Sequence, residues 1–488
     1  GSEIQTPNID RLAKEGIRFT RIYNNAWCSP SRASLLTGLY PQQAGMGVLA
    51  GPNPGPEGPY QGYLNRDCVT IAEVLSKAGY QTILSGKWHL GEYRPNWPTD
   101  RGFDHYFGLI SGAANYFDIT KTKAEGVVRH MALDDQPYTP PANGFYMTDA
   151  ITRYAVKALD EQTSRDQPFF LYVAYTAPHW PLHALPEDIA KYKDQYNPGW
   201  DSLRIKRFNK QIQLGILDKD SKLSPRDPEV QAWDNLSDQK KTEMAEKMAV
   251  YAAQIDRMDQ GIGQILSKLN ETGRAENTIV IFLADNGGCA ETGIWGFDQR
   301  NNGLPPGGVD SYMSYGQSWA NASNTPFRYF KKWLHEGGIA TPFIIRWPAS
   351  VSKQREGKIV SQVGHLVDIM PTICELTGAP YPRQFNGRGV LPLEGQSLAP
   401  QIKNGITVPR KPIFWSLNGH KAVLSGDYKL EAAGEEASWE LYDLKKDRSE
   451  LNNLAGSHTE TVKRLSKLWE EWAERVGVSK GQLQKQSE

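Results

Sequence analysis

Apolar residues recur along the chain with two alternating periods. Ile9, Leu12 and Ala13 form the stripe of a short helix, which Thr6-Pro7 opens as N-cap and first turn and Gly16 ends. Ile17–Tyr23 follows as a strand. Thr70 and Glu73 have capping-box spacing ahead of a helix carrying Ile71, Val74, Leu75 and Ala78, closed by Gly79. Tyr80–Leu84 reads as the next strand. Phe169–Tyr175, Thr278–Ala284 and Pro342–Trp347 are nearly continuous apolar runs, as expected of parallel strands covered on both faces. Between them Met244–Leu266 keeps helical spacing through Met248, Ala252, Ile255, Met258 and Ile262. This order predicts an α/β fold, a large mostly parallel sheet sandwiched by helices.

Two regions have another texture. Residues 185–243 are polar and charged, and read as an insertion or lid rather than core. Beyond about residue 400 come short strands at Lys411–Trp415, Ala422–Leu424, Tyr428–Glu431 and Trp439–Tyr442. A final amphipathic helix carries Val462, Leu465, Leu468, Trp469 and Trp472. The expected division is a main α/β domain over 1–396 and a small α+β subdomain over 397–488.

Composition narrows the function. Among 488 residues, Lys+Arg and Asp+Glu are both 55, so the basic excess of a nucleic-acid binder is missing. No apolar run reaches the roughly 18 residues that span a bilayer. The 4 cysteines are too few and too scattered for a disulfide framework, and no CxxC pair suggests zinc. The chain opens at Gly1-Ser2, just ahead of a helix, and no signal peptide is visible.

Ligands of open α/β sheets sit beyond the carboxyl ends of the strands. Four such ends carry usable chemistry here. After Ile17–Tyr23, Cys28-Ser29-Pro30-Ser31-Arg32 places a thiol at a helix N-terminus, where the dipole favours an anion, with a permanent cation nearby. After Tyr80–Leu84 come Lys87 and His89, two apart and so on one side of an extended segment. After Phe169–Tyr175, prolines at 178 and 181 stiffen the loop that holds His179. After Thr278–Ala284, Asp285 and Asn286 offer hard oxygen donors of the kind Ca²⁺ or Mg²⁺ takes. Each alone has an ordinary reading as a turn, a core cysteine or a structural histidine. Four strand ends converging on an anion site and a cation site by chance is the weaker account. His105 and His183 stay in the structural class.

With these residues in place the chain resembles the type I sulfatases, relatives of alkaline phosphatase. Cys28 through Gly38 fits that family's C-x-P-S-R signature with its following Thr-Gly, and Gly79 through His89 fits its second signature, ending in G-K-W-H. Ala177–His179, Asp285-Asn286 and Lys331 with Glu336-Gly337-Gly338 follow in the family's order, and the likeness runs to Glu440–Asp443. The resemblance implies an alkaline-phosphatase-like fold and hydrolysis of a carbohydrate or aryl sulfate ester. It implies that a maturation enzyme oxidises Cys28 to Cα-formylglycine, whose hydrate attacks sulfur with one oxygen. The other oxygen then expels sulfate by re-forming the aldehyde.

By the same resemblance Arg32 holds the diol, His89 assists sulfate release, and Lys87 and Lys331 clamp the sulfate oxygens. His179 protonates the departing alcohol. Asp285, Asn286 and the Cys28-derived group ligate Ca²⁺. Spacing to the Glu336 segment favours Lys331 over Lys332. Sulfatases begin with a strand ending in an Asp pair that completes the metal site; the printed chain starts beyond it, so the calcium site looks incomplete and an N-terminal segment is expected to be missing from it. The alternatives are a phosphodiester or phosphonate monoester hydrolase using the same group, and a non-catalytic glycan-binding relative. The resemblance also implies a periplasmic or secreted protein.

Overall fold

The computed structural model describes residues 2–162 and 167–478. Its α/β layer holds the strands β1 (Ile17–Tyr23), β2 (Gln81–Gly86), β3 (His105–Leu109), β4 (Met131–Leu133), β5 (Gln136–Pro137), β6 (Phe169–Ala174), β7 (Val280–Leu283), β8 (Ala340–Arg346) and β9 (Ile359–His365). They form two sections, ordered β7-β8-β1-β9 and β5-β4-β3-β2-β6. Parallel ladders join β1 to β9, and β2 to both β3 and β6. The architecture is the α/β one expected, with a difference in strand direction: β8 runs antiparallel to β1 and β7, and β4 antiparallel to β3 and β5. A strand covered on both faces is apolar throughout whichever way its partners run, so its composition does not reveal its direction.

Among the described residues no ladder joins β6 to β7, yet their side chains share apolar clusters on both faces of the layer. Phe170 and Tyr172 meet Ile281 and Leu283 in one, and Phe169 and Leu171 meet Val280 and Phe282 in the other. All of these side chains are half-buried, whereas β2 is buried along its whole length.

The helix starts show how local signals and tertiary partners share the capping. Ahead of α3 (Ile71–Lys77), the Thr70 hydroxyl accepts from Glu73 N at 3.0 Å, and Thr70 N donates to the Glu73 carboxylate at 2.7 Å. Ahead of α1 (Pro7–Glu15), Thr6 makes no side-chain cap. The free amides of Asn8 and Ile9 instead donate to Asp259, at 3.0 and 2.8 Å, on the long helix Asp238–Glu271. That carboxylate satisfies orphan donors and complements the helix dipole.

The 185–243 stretch differs from its polar reading. Tyr192, Tyr196, Trp200, Leu203 and Trp233 are buried with Trp319 in a cluster of their own. Trp200 meets Trp233 edge-on at 4.6 Å and Trp319 at 5.4 Å. Large aromatics bury much area each, so a few among many polar residues suffice for a core.

Past a small hairpin of β10 (Gln384–Phe385) and β11 (Arg388–Gly389) lies an antiparallel sheet of β12 (Ile413–Leu417), β13 (His420–Ser425), β14 (Tyr428–Ala432) and β15 (Glu440–Asp443). The helix Thr459–Val476 covers it, stacking Trp472 on Phe414 at 5.2 Å. Trp415 Nε1 donates to the Asn24 carbonyl at 2.7 Å, which ties this sheet to the segment leading into Cys28.

Candidate active site

Cys28 begins α2 (Cys28–Thr37), a helix whose every residue is buried. Pro30 occupies the first turn, where its missing N–H is no loss. The helix ends at Gly38, whose φ of 71° puts it in the left-handed region while its N–H closes on the Ser34 carbonyl. A Cβ there would come within 2.6 Å of Leu393 and 2.8 Å of Met370, so only glycine fits this end. The thiol of Cys28 lies in the field of Arg32, Lys87 and Lys331.

Arg32, one turn on, is the hub. Its Nε and Nη2 donate to Asp285 Oδ2 at 3.1 and 2.9 Å, and its Nη1 donates to the Lys87 carbonyl at 3.0 Å and Tyr172 Oη at 3.3 Å. One planar fork thereby joins the ends of β2 and β7, and Tyr172 within β6, to α2. Burial works against its charge, but Tyr172 and Asp285 outweigh that and hold the guanidinium above its ordinary value.

Lys87 is anchored by its own amide, which donates to the Ala174 carbonyl at 2.7 Å. Burial lowers its pKa. His89 has a left-handed φ of 57°, held by its amide on the Ile110 carbonyl at 3.0 Å, a strain of the kind that collects at functional sites. Its Nε2 lies 3.2 Å from the Ala50 carbonyl oxygen, and its Nδ1 is buried without a protein partner. A Cβ on Gly112 would stand 2.5 Å from that Nε2, so the ring seats directly on a glycine. Burial, then Lys87 and Arg32, push the imidazole well below its ordinary value.

His179 Nδ1 lies 2.8 Å from the Trp180 carbonyl, which can only accept, so the ring proton sits on Nδ1. Nε2 then accepts from Lys331 Nζ at 3.4 Å. Burial first, then Lys331 and Lys87, bring His179 down to about 3. The adjacent lysines differ in placement. Lys331 is buried, with its amide on the Gly288 carbonyl at 3.0 Å, whereas Lys332 has a φ of 79° and places its ammonium over the Trp27 ring at 5.3 Å.

The site thus gathers Cys28, Arg32, Lys87, His89, His179, Asp285 and Lys331. Sequence reading missed Tyr172, which holds Arg32, and Glu291, whose carboxylate lies 3.1 Å from Lys331 Nζ. Glu291 sits only six residues beyond Asp285 in the same strand-end loop, so the rule that selected Asp285 also reaches it. Ser111 donates to Glu92 and Asn115 to the Val309 carbonyl, and among the described residues no hydrogen bond links either to these groups. His183 is a buried structural ring between Tyr116 N and the Ser311 carbonyl. His335 belongs to a buried charge cluster with Glu431 at 3.1 Å.

Three buried cations face two half-buried carboxylates, Asp285 and Glu291, beside two neutral imidazoles. Such a site attracts a tetrahedral oxyanion and holds it with fixed donors. Toward a divalent cation the residues fit in kind but not in number. Asp285 and Asn286 bring hard oxygens, but Asp285 already pairs with Arg32, and two donors fall short of the six to eight that Ca²⁺ takes.

Residues 1–379 match the family pattern described as Sulfatase. The chain belongs to the sulfatase family. Residues 326–475 of this sulfatase also match the C-terminal pattern of N-sulphoglucosamine sulphohydrolase. It is 35% identical to an uncharacterized sulfatase of Schizosaccharomyces pombe, over 98% of this chain and 91% of that one. It is likewise 35% identical to an arylsulfatase of Klebsiella aerogenes, over 82% and 87%. Among solved structures it resembles Ps i-CgsB in complex with k-i-k-neocarrahexaose, with a TM-score of 0.70 and 27% identity over 97% of this chain and 88% of that one. The protein is accordingly a sulfuric ester hydrolase.

Proposed function

We propose that this sulfatase cleaves a carbohydrate or aryl sulfate ester, with Cys28 as the origin of its nucleophile after conversion to Cα-formylglycine by a maturation enzyme. The observation that carries the reading is the convergence of Arg32, Lys87 and Lys331 on a buried Cys28 at a helix N-terminus. When formed, that group supplies a geminal-diol oxygen in place of a thiol. The same three cations favour an anionic oxygen there, and Arg32, fixed by its fork on Asp285, is the group that orients it.

Lys87 and Lys331 hold the sulfate oxygens, whose charge grows as the sulfur–oxygen bond to the alcohol lengthens. Burial and two lysine charges keep His179 neutral, and the incoming anion offsets the lysine charges. Substrate binding therefore favours a proton on Nε2, the atom that serves the leaving alcohol. His89, with its free Nδ1, accepts the proton released as sulfate departs. Asp285 and Asn286 would offer two oxygen donors toward Ca²⁺, which when bound would polarise sulfate. Trp180 and Phe297, edge to face at 5.3 Å beside His179, offer aromatic surface for a sugar or aryl leaving group. Export to the periplasm or medium belongs to the same proposal.

Tandem mass spectrometry of the Cys28 peptide, from protein made in its native host, tests the reading together with a sulfate-release assay. Formylglycine with sulfate release is the expected result. An unmodified thiol, or release of phosphate in preference to sulfate, would overturn it.

A further inference from the structure

Glu291 lies between the two loops that handle the leaving group. Its Oε1 is 3.1 Å from Lys331 Nζ and 3.5 Å from Lys332 Nζ, and its Oε2 accepts from Trp180 Nε1 at 2.9 Å. Trp180 is the neighbour of His179, and its carbonyl oxygen sets the tautomer of that ring. His179, Cys289 and Glu291 bring their polar atoms within 4.8 Å of one another. Such a trio has the look of a metal site, but the Lys331 ammonium already stands among them, 3.4 Å from His179 and 3.5 Å from Cys289 Sγ. The cation that this carboxylate serves is the lysine.

We propose, resting on the sulfate-ester reading, that Glu291 is a positioning residue: it fixes the Lys331 ammonium against His179 and thereby sets how readily that pair protonates the departing alcohol. In that step the sulfur–oxygen bond breaks with its electron pair on the alcohol oxygen. The oxygen takes a proton from the Lys331–His179 pair, and the pair regains it from water after the alcohol leaves. Glu291 touches neither sulfate nor alcohol. An ammonium flanked by one carboxylate and one imidazole has a single preferred direction, whereas a lysine with only the imidazole keeps its rotamer freedom. The negative charge also makes a proton on His179 less unfavourable beside Lys331 and Lys87.

The test is Glu291→Gln in the full-length, formylglycine-bearing protein, which keeps the shape and removes the charge. Sulfate release from aryl sulfates of rising leaving-group basicity, 4-nitrophenyl through 4-methoxyphenyl, reads the need for a proton. We expect kcat/KM to fall only a few-fold on 4-nitrophenyl sulfate but about 100-fold on the most basic alcohol, the scale of a lost general acid. On any sulfate ester the enzyme takes, the alkaline limb of its pH profile moves to lower pH. Trp180→Phe, which keeps a ring but deletes the donor to Glu291, changes both in the same sense to a smaller degree. Glu291→Asp restores part of the loss. Equal losses across the series with an unmoved alkaline limb, or no loss, overturn the inference. A wild-type protein that carries formylglycine yet releases sulfate from no ester overturns the sulfate-ester reading itself, and this inference with it.

Discussion

Arg32 concentrates more of the site's geometry than any other side chain described above, because one planar group reaches the ends of two strands and a side chain within a third. A lysine at the same position keeps the charge but has no fork, so it can satisfy Asp285 or the Lys87 carbonyl, not both. Arg32→Lys is expected to lower kcat/KM at least 100-fold and to destabilise the fold by about 1.5–3 kcal/mol, the worth of hydrogen bonds to a charged group. Steady-state rates and denaturant midpoints of the variant check the two separately; a fully active Arg32→Lys enzyme would remove the hub role. At this scale the sequence was informative wherever chemistry sits at a strand end, as with Cys28, Lys87, His179 and Asp285. It was silent where a role depends on which distant loop arrives. Glu291 acts through Trp180, 111 residues earlier, and Lys331, 40 residues later. No local spacing encodes that meeting.

Among elements, the legible ones were those with a local physical signature. The capping box at Thr70 and Glu73 needs only four consecutive residues, and it formed as read. The N-cap at Thr6 was overruled because Asp259, on a helix far along the chain, supplies a stronger acceptor. The 185–243 stretch misled because the polar faces of its helices outnumber a few large aromatics. The C-terminal sheet hides its most consequential feature in an ordinary-looking strand. Lys429 on β14 is fully buried, 2.6 Å from Glu450 and 3.1 Å from Glu431, and Glu450 in turn accepts from Glu336 N at 2.9 Å. That chain of contacts fastens the sheet to the Glu336-Gly337-Gly338 segment, five residues from Lys331. Lys429→Met leaves two buried carboxylates without their cation, a loss of about 3–5 kcal/mol. Burial pushes Glu450 up to about 7, so it can take up a proton instead as the pH falls. The destabilisation should therefore be smaller at pH 5 than at pH 8, which urea denaturation at the two pH values measures. An equal loss at both would mean that Lys429 acts by packing rather than by charge.

Over the whole molecule a formal charge of zero conceals buried groups that pull stability in opposite directions with pH. His89, His183, His335 and His365 are buried, and burial lowers all four, His183 to about 4 and His365 to about 3. A histidine lowered by burial binds its proton less readily in the folded chain than in the unfolded one, so each makes stability fall as pH falls, and His183 and His365 are still neutral in the folded chain near pH 5.5. Asp368, Glu431 and Glu450 are buried carboxylates that burial raises. A carboxylate raised by burial takes up its proton more readily in the folded chain than in the unfolded one, so these three oppose the histidines as pH falls. His179 and His420, brought down to about 3 and about 4, act in the same sense as the other histidines, so six lowered histidines face three raised carboxylates and stability is expected to fall with pH between roughly pH 6.5 and 5. Guanidinium unfolding at pH 7 and pH 5.5 should show the lower midpoint at pH 5.5, and His365→Gln should narrow the difference. A midpoint that rises at pH 5.5 would mean that the buried carboxylates outweigh the histidines. The cluster that joins the C-terminal sheet to the catalytic layer, rather than the cores, would then govern acid stability.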